Sequence, residues 1–250
     1  MKIEPFHLLS GALSFIFVFI CCLIGLKIAF KYFLRKERTF LLVGLAWFGL
    51  GSPWLADAVN FIMIVFLNTM LIEELYFILI IPFVPLFLLM WLIAVSEMYY
   101  KEKEKYILII SIGLIILFEI FFFAFLYIDH NLIGRYVTPF QIEFSLFIEI
   151  FFIVIIIVTV STGIHVALKS IKSNHPETRI NGIFLFFAFV LYAIGAICDS
   201  SLELTEITVI VVRLILMVSA FCYYLGFFLP DYLKKILLRE ENTINFDDKR

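Results

Sequence analysis

Apolar residues gather into seven runs along the chain, at 8–30, 40–65, 75–99, 106–128, 144–168, 181–200 and 207–229, with short polar stretches between them. Each run is about 20 to 25 residues long, enough for a helix to cross a hydrocarbon layer of roughly 30 Å. The pattern predicts an all-α integral membrane protein with seven transmembrane helices over 1–230 and a short tail over 231–250. In the tail, the stretch from Asp231 to Arg239 sets its apolar residues on one side, beside Lys234, Lys235 and Arg239. That predicts a short amphipathic helix lying on anionic headgroups.

Polar interruptions within the runs are more informative than the runs themselves. The second run contains Gly49-Leu50-Gly51-Ser52-Pro53-Trp54-Leu55-Ala56-Asp57-Ala58-Val59-Asn60. Pro53 removes a backbone hydrogen bond and predicts a kink. In lipid, such a break persists only where neighbouring helices or a wet cavity satisfy the freed carbonyls. After it, Trp54, Asp57 and Asn60 follow at spacing three, which places them along one helix edge. Pro82 and Pro85 predict a second bend, in the middle of the third run. The longest connection between runs, Asp129 to Glu143, contains Gly134 and Pro139 and is expected only to cap the bundle.

Composition changes this picture only by closing alternatives. With 64% of residues apolar and 16% charged, and a mean hydropathy of +1.09, the chain is too apolar for the interior of a soluble domain. The net charge of −2 gives no reason to expect a nucleic-acid partner; the expected partner is the lipid bilayer. Cys21, Cys22, Cys198 and Cys222 lie in or at the ends of apolar runs and read as small hydrophobes.

The placement of charge predicts orientation. Of the nineteen Lys and Arg residues, all but Lys2, Arg135 and Arg213 fall between runs one and two, after run three, around the turn after run five, or in the tail. The positive-inside rule makes those positions cytoplasmic, with the amino terminus outside. A multi-pass protein of the plasma membrane is the expected setting.

Ionisable residues inside a membrane are costly and call for partners. Counting along the helices places Glu119, Glu149 and Arg213 in one layer, on the order of 10 Å below the outer surface, with Asp57 and Asp199 just above it. The expectation is that Arg213 pairs with Glu149 or Glu119 on the floor of an externally open pocket. Trp54, Asp57, Asn60, Tyr192 and Asp199 would line its wall, between helices 2, 5, 6 and 7. Tyr192, Gly195 and Asp199 share a helix face, which gives the sixth run a polar edge. Glu73 and Glu74 open the third run, where the helix dipole favours carboxylates. The histidines His7, His130, His165 and His175 are scattered near helix ends and cannot meet as a haem pair or zinc triad. No metal or cofactor is expected, and no nucleophile–base pair suggests an enzyme.

In hydropathy and topology the chain resembles the seven-helix sensor modules of prokaryotic membrane kinases and seven-helix proteins of archaea, most suggestively over Gly49 to Ile62 and Arg179 to Ser200. The resemblance implies a sensor whose signal passes to a separate cytoplasmic protein, because the chain ends soon after the seventh run. Retinal proteins need a lysine in helix seven, and Ile207 to Leu229 has none. The Asn-Pro-x-x-Tyr signature of G-protein-coupled receptors is also missing there. Two functions stay open: a receptor-like sensor binding a small ligand in the pocket, and a small solute transporter of three-plus-one-plus-three helix organisation.

Overall fold

The computed structural model describes residues 4–201, 205–230 and 233–236. Among the described residues, seven helices are long and apolar enough to cross a membrane. They are α1 (Pro5–Arg35), α2 (Arg38–Leu67) and α3 (Glu73–Tyr99), α4 (Glu104–Ile128), α5 (Leu146–Ile171), α6 (Pro176–Ser201) and α7 (Glu206–Phe227). This is the architecture of a multi-pass membrane protein, and each helix coincides with one apolar run. Of the anticipated tail helix, only 233–236 lie within the described residues, and they are helical.

Neighbouring helices pack as α5–α6–α7–α1–α2–α3, and a looser contact between α3 and α5 closes the ring. Helices α1 and α2 approach each other closely. A Cβ on Gly44 would lie 2.5 Å from the Gly25 carbonyl oxygen, so only glycine allows the two backbones to meet there. Helix α4 stands outside the ring. It packs on α3 and reaches α5 through stacked rings, with the Phe118 and Phe151 centroids 3.7 Å apart. Its outward side chains, Ile109, Ile116 and Ile120 among them, are exposed, as lipid contact requires.

The ends of the bundle differ. At one end, basic residues tie helices together: Lys27 Nζ donates to Tyr224 Oη at 2.6 Å, and Lys31 Nζ donates to the Phe227 carbonyl at 2.7 Å. At the other end the chain departs from the all-α expectation. The connection after α4 folds into a β-hairpin, β1 (Gly134–Thr138) and β2 (Gln141–Phe144), with Arg135 opposite Glu143 and Tyr136 opposite Ile142. Aromatic and β-branched residues in β1, with polar–apolar alternation in β2, suit paired strands that are apolar on one face. The hairpin closes over a second apolar core that includes Tyr76, Phe77, Phe122, Ile133 and Ile148.

Candidate functional site

The polar interruption in α2 is a true break. Helix runs to Leu50, Ser52–Trp54 form a single 3-10 turn, and helix resumes at Leu55. Pro53 cannot donate to the Gly49 carbonyl four residues earlier. Ser52 Oγ takes that acceptor at 2.7 Å. The next carbonyl, of Leu50, receives Tyr192 Oη from α6 at 3.2 Å. Both freed groups are therefore satisfied, one locally and one across the bundle, as a non-polar medium demands. Helix α3 breaks too, between Ile80 and Phe83 around Pro82.

These two broken helices, with α5, α6 and α7, enclose a cavity of about 620 Å³. Trp54, Asp57, Glu149, Tyr192, Asp199 and Arg213 all border it. The hairpin roofs it with Phe140, Gln141, Ile142 and Glu143, and Trp91, Thr159 and Tyr223 reach it from deeper in the bundle. It meets the surface beside the exposed Val137, Glu149 and Ile153, between the hairpin and α5.

Arg213 forms the ionic centre, with a partner other than the one anticipated. Arg213 Nη1 donates to Asp199 Oδ1 at 2.6 Å, and the two side chains are only 3% and 17% exposed. Trp54 Nε1 donates to the other Asp199 oxygen at 2.7 Å, and the guanidinium lies 5.5 Å from the Trp54 ring centroid. Three helices thus converge on one charge pair, with cation–π attraction adding to the hydrogen bonds. Beside it, the buried Asp57 accepts from Tyr76 Oη on one oxygen and from Ser14 Oγ on the other at 3.3 Å.

Three anticipated placements need correcting. Glu119 does not border the cavity; it sits on α4, outside the ring, with one carboxylate oxygen buried and unpartnered. Equal depth in the membrane fixes a layer but not a direction around the bundle. Glu149 lies in the first turn of α5 and is exposed at the cavity lip, too far out to be the buried counter-ion. Asn60 holds the roof instead of lining the wall. Its Nδ2 donates to the Pro139 carbonyl at 2.8 Å, and its Oδ1 accepts from Leu71 N at 2.7 Å.

Several contributors carried no clear sequence signal. Phe140 seats against Gly11 of α1, where an added Cβ would meet its ring at 2.5 Å. Tyr136 fixes the hairpin to the start of α3 and the loop before it: its amide donates to Glu73 Oε1 at 3.2 Å and its hydroxyl to the Leu71 carbonyl at 3.3 Å. Burial, with help from the nearby carboxylates of Glu73 and Asp57, pushes that hydroxyl up to about 12. His130 places one ring nitrogen 3.3 Å from Glu73 and the other 3.6 Å from Glu74. Those glutamates therefore join the roof to α3 as well as opening the helix.

At the deep end, Trp47 and Tyr223 stack with centroids 3.6 Å apart. Neither the Trp47 indole N–H nor the Tyr223 hydroxyl has a hydrogen-bond partner among the described residues. Leaving such groups unsatisfied costs about 1–3 kcal/mol each, so this floor is poorly accounted for by packing alone.

The chain matches no family model, no curated protein and no solved structure. The functional reading rests on the site itself.

Proposed function

We propose that this protein is a receptor-like membrane sensor that binds a small ligand in the cavity between α2, α3, α5, α6 and α7. The observation that carries the reading is the buried Arg213–Asp199–Trp54 cluster, set in the wall of a cavity within the size range of small-molecule sites.

In this reading the hairpin end faces outside and the lysine- and arginine-rich end faces the cytoplasm, in a plasma membrane. A ligand touching the Arg213–Asp199 pair engages α6 and α7 together, and touching Trp54 or Tyr192 engages the α2 break. Occupancy then favours one arrangement of these helices, which a separate cytoplasmic protein reads at the basic end. The reading assigns the protein no catalytic chemistry.

The broken α2 and α3 favour a second reading, a small carrier, because carriers surround their sites with discontinuous helices. Two-sided thiol labelling separates the two. The four native cysteines are replaced by serine or alanine and Thr159→Cys is introduced in the cavity wall. A membrane-impermeant maleimide is then applied to sealed vesicles of each orientation. Labelling from the hairpin side alone supports the sensor, and labelling from both sides supports the carrier. Labelling from neither side overturns the open cavity that both readings need.

A further inference from the structure

If the cavity is a ligand site, as proposed above, the charge and shape of its wall select a ligand class. Its ionisable side chains, tyrosines aside, are Asp57, Glu143, Glu149, Asp199 and Arg213. Glu143 is already taken by Arg135 at 2.6 Å. The single guanidinium therefore faces three carboxylates. Even with Asp57 neutral, the wall keeps a net negative charge. An anion would add to that excess, whereas a cation removes it. The rings of Tyr76 and Tyr192 also border the cavity, and aromatic surface suits an ammonium group further.

A second observation concerns the far end. Tyr223 is fully buried and borders the cavity, yet its hydroxyl has no partner among the described residues; nor has the N–H of Trp47, stacked upon it. The cavity-bordering phenol O–H of Tyr223 is a donor left without an acceptor among the described residues. A group arriving there should therefore present an acceptor oxygen. Tyr223 lies ten residues beyond Arg213 on α7, a rise of about 15 Å. The wall between these ends is apolar, with Ile80, Val84 and Leu88 among its residues.

We propose that the cavity takes an elongated organic cation: an ammonium group beside Asp57 and Asp199, an apolar body, and a hydrogen-bond-accepting oxygen at the Tyr223 end. Val137 and Ile153, both exposed and apolar, border the opening, so such a molecule can reach it from the lipid phase.

The test is thermal unfolding of the full chain in nanodiscs with four matched probes: decylamine, aminodecanol, decanol and decanoate. The expected result is stabilisation by the two amines and none by decanoate. Aminodecanol should bind more tightly than decylamine, by on the order of fivefold for the added hydrogen bond. Tyr223→Phe should erase that fivefold difference while leaving decylamine unchanged. Saturable stabilisation by decanoate or decanol but not by the amines overturns the cation assignment and leaves the cavity a ligand site. Equal affinity of the two amines in wild type overturns the role of the deep end. No saturable effect of any probe counts against this inference and the ligand-site reading alike.

Discussion

Arg213 Nη1 sits 2.6 Å from Asp199 Oδ1, joining two consecutive helices inside a protein that buries few other charges so fully. Removing one partner leaves the other buried and uncompensated, which is costlier than never having had the pair. Arg213→Leu should therefore destabilise the protein by about 3 kcal/mol, since Trp54 still donates to the stranded carboxylate. Adding Asp199→Leu should recover most of the loss. Denaturant unfolding of the two single variants and the double variant checks this, and additive effects would mean that the pair is not coupled.

The α2 break depends on borrowed hydrogen bonds. Tyr192→Phe removes the donor to the Leu50 carbonyl, and Ser52→Ala the donor to Gly49. Each should cost about 1–3 kcal/mol, the penalty for an unsatisfied buried carbonyl. Pro53→Ala restores the missing N–H, so in that background the Ser52→Ala cost should shrink. An undiminished cost would contradict the assignment of Ser52 to the carbonyl that Pro53 leaves free.

The hairpin roof is seated by Phe140 against Gly11 and by Asn60 on Pro139. Gly11→Leu leaves no room for the Phe140 ring and should release the roof without dissolving the seven-helix core. Hydrogen exchange over 134–144 should speed up several-fold while α6 and α7 stay protected. Unchanged protection of the hairpin would show that Gly11 is not its seat.

The roof should also respond to alkali. Tyrosine ordinarily ionises near pH 10, and burial holds Tyr136 protonated up to about 12. Between these values the folded protein keeps a proton that the unfolded chain has lost, so stability falls as pH rises through this window and is unaffected below it. Tyr136→Phe should flatten that part of the stability profile. An identical alkaline profile in the variant would assign the loss elsewhere.

What the sequence made legible follows from how each feature is encoded. Seven apolar runs of spanning length leave little choice of architecture, and Pro53 among small residues announces the α2 break because a missing N–H is a local fact. The partner of Arg213 was harder, since depth counting treats all helices at one level as equal. The short connection between α6 and α7 held the answer: consecutive helices joined by so few residues are neighbours, so Asp199 is nearer Arg213 than Glu119 or Glu149. The hairpin lay in a stretch dominated by Gly134 and Pro139, although alternation through Gln141, Ile142, Glu143 and Phe144 marked a strand. Asn60 looked like a wall residue because helix spacing sets its edge but not what stands opposite.

The claim that the cavity accepts a ligand can be read from the protein's own fluorescence. All three tryptophans gather at it: Trp54 and Trp91 border it and Trp47 stacks on Tyr223. Wild type and Ala196→Phe, which narrows the cavity without touching a charge, would be titrated in nanodiscs with brominated decylamine, decanol and decanoate. The account predicts saturable quenching of wild type by at least one probe and its loss in Ala196→Phe. Linear quenching, equal in both proteins, would mean that the probes act only from the lipid and that the cavity binds none of them.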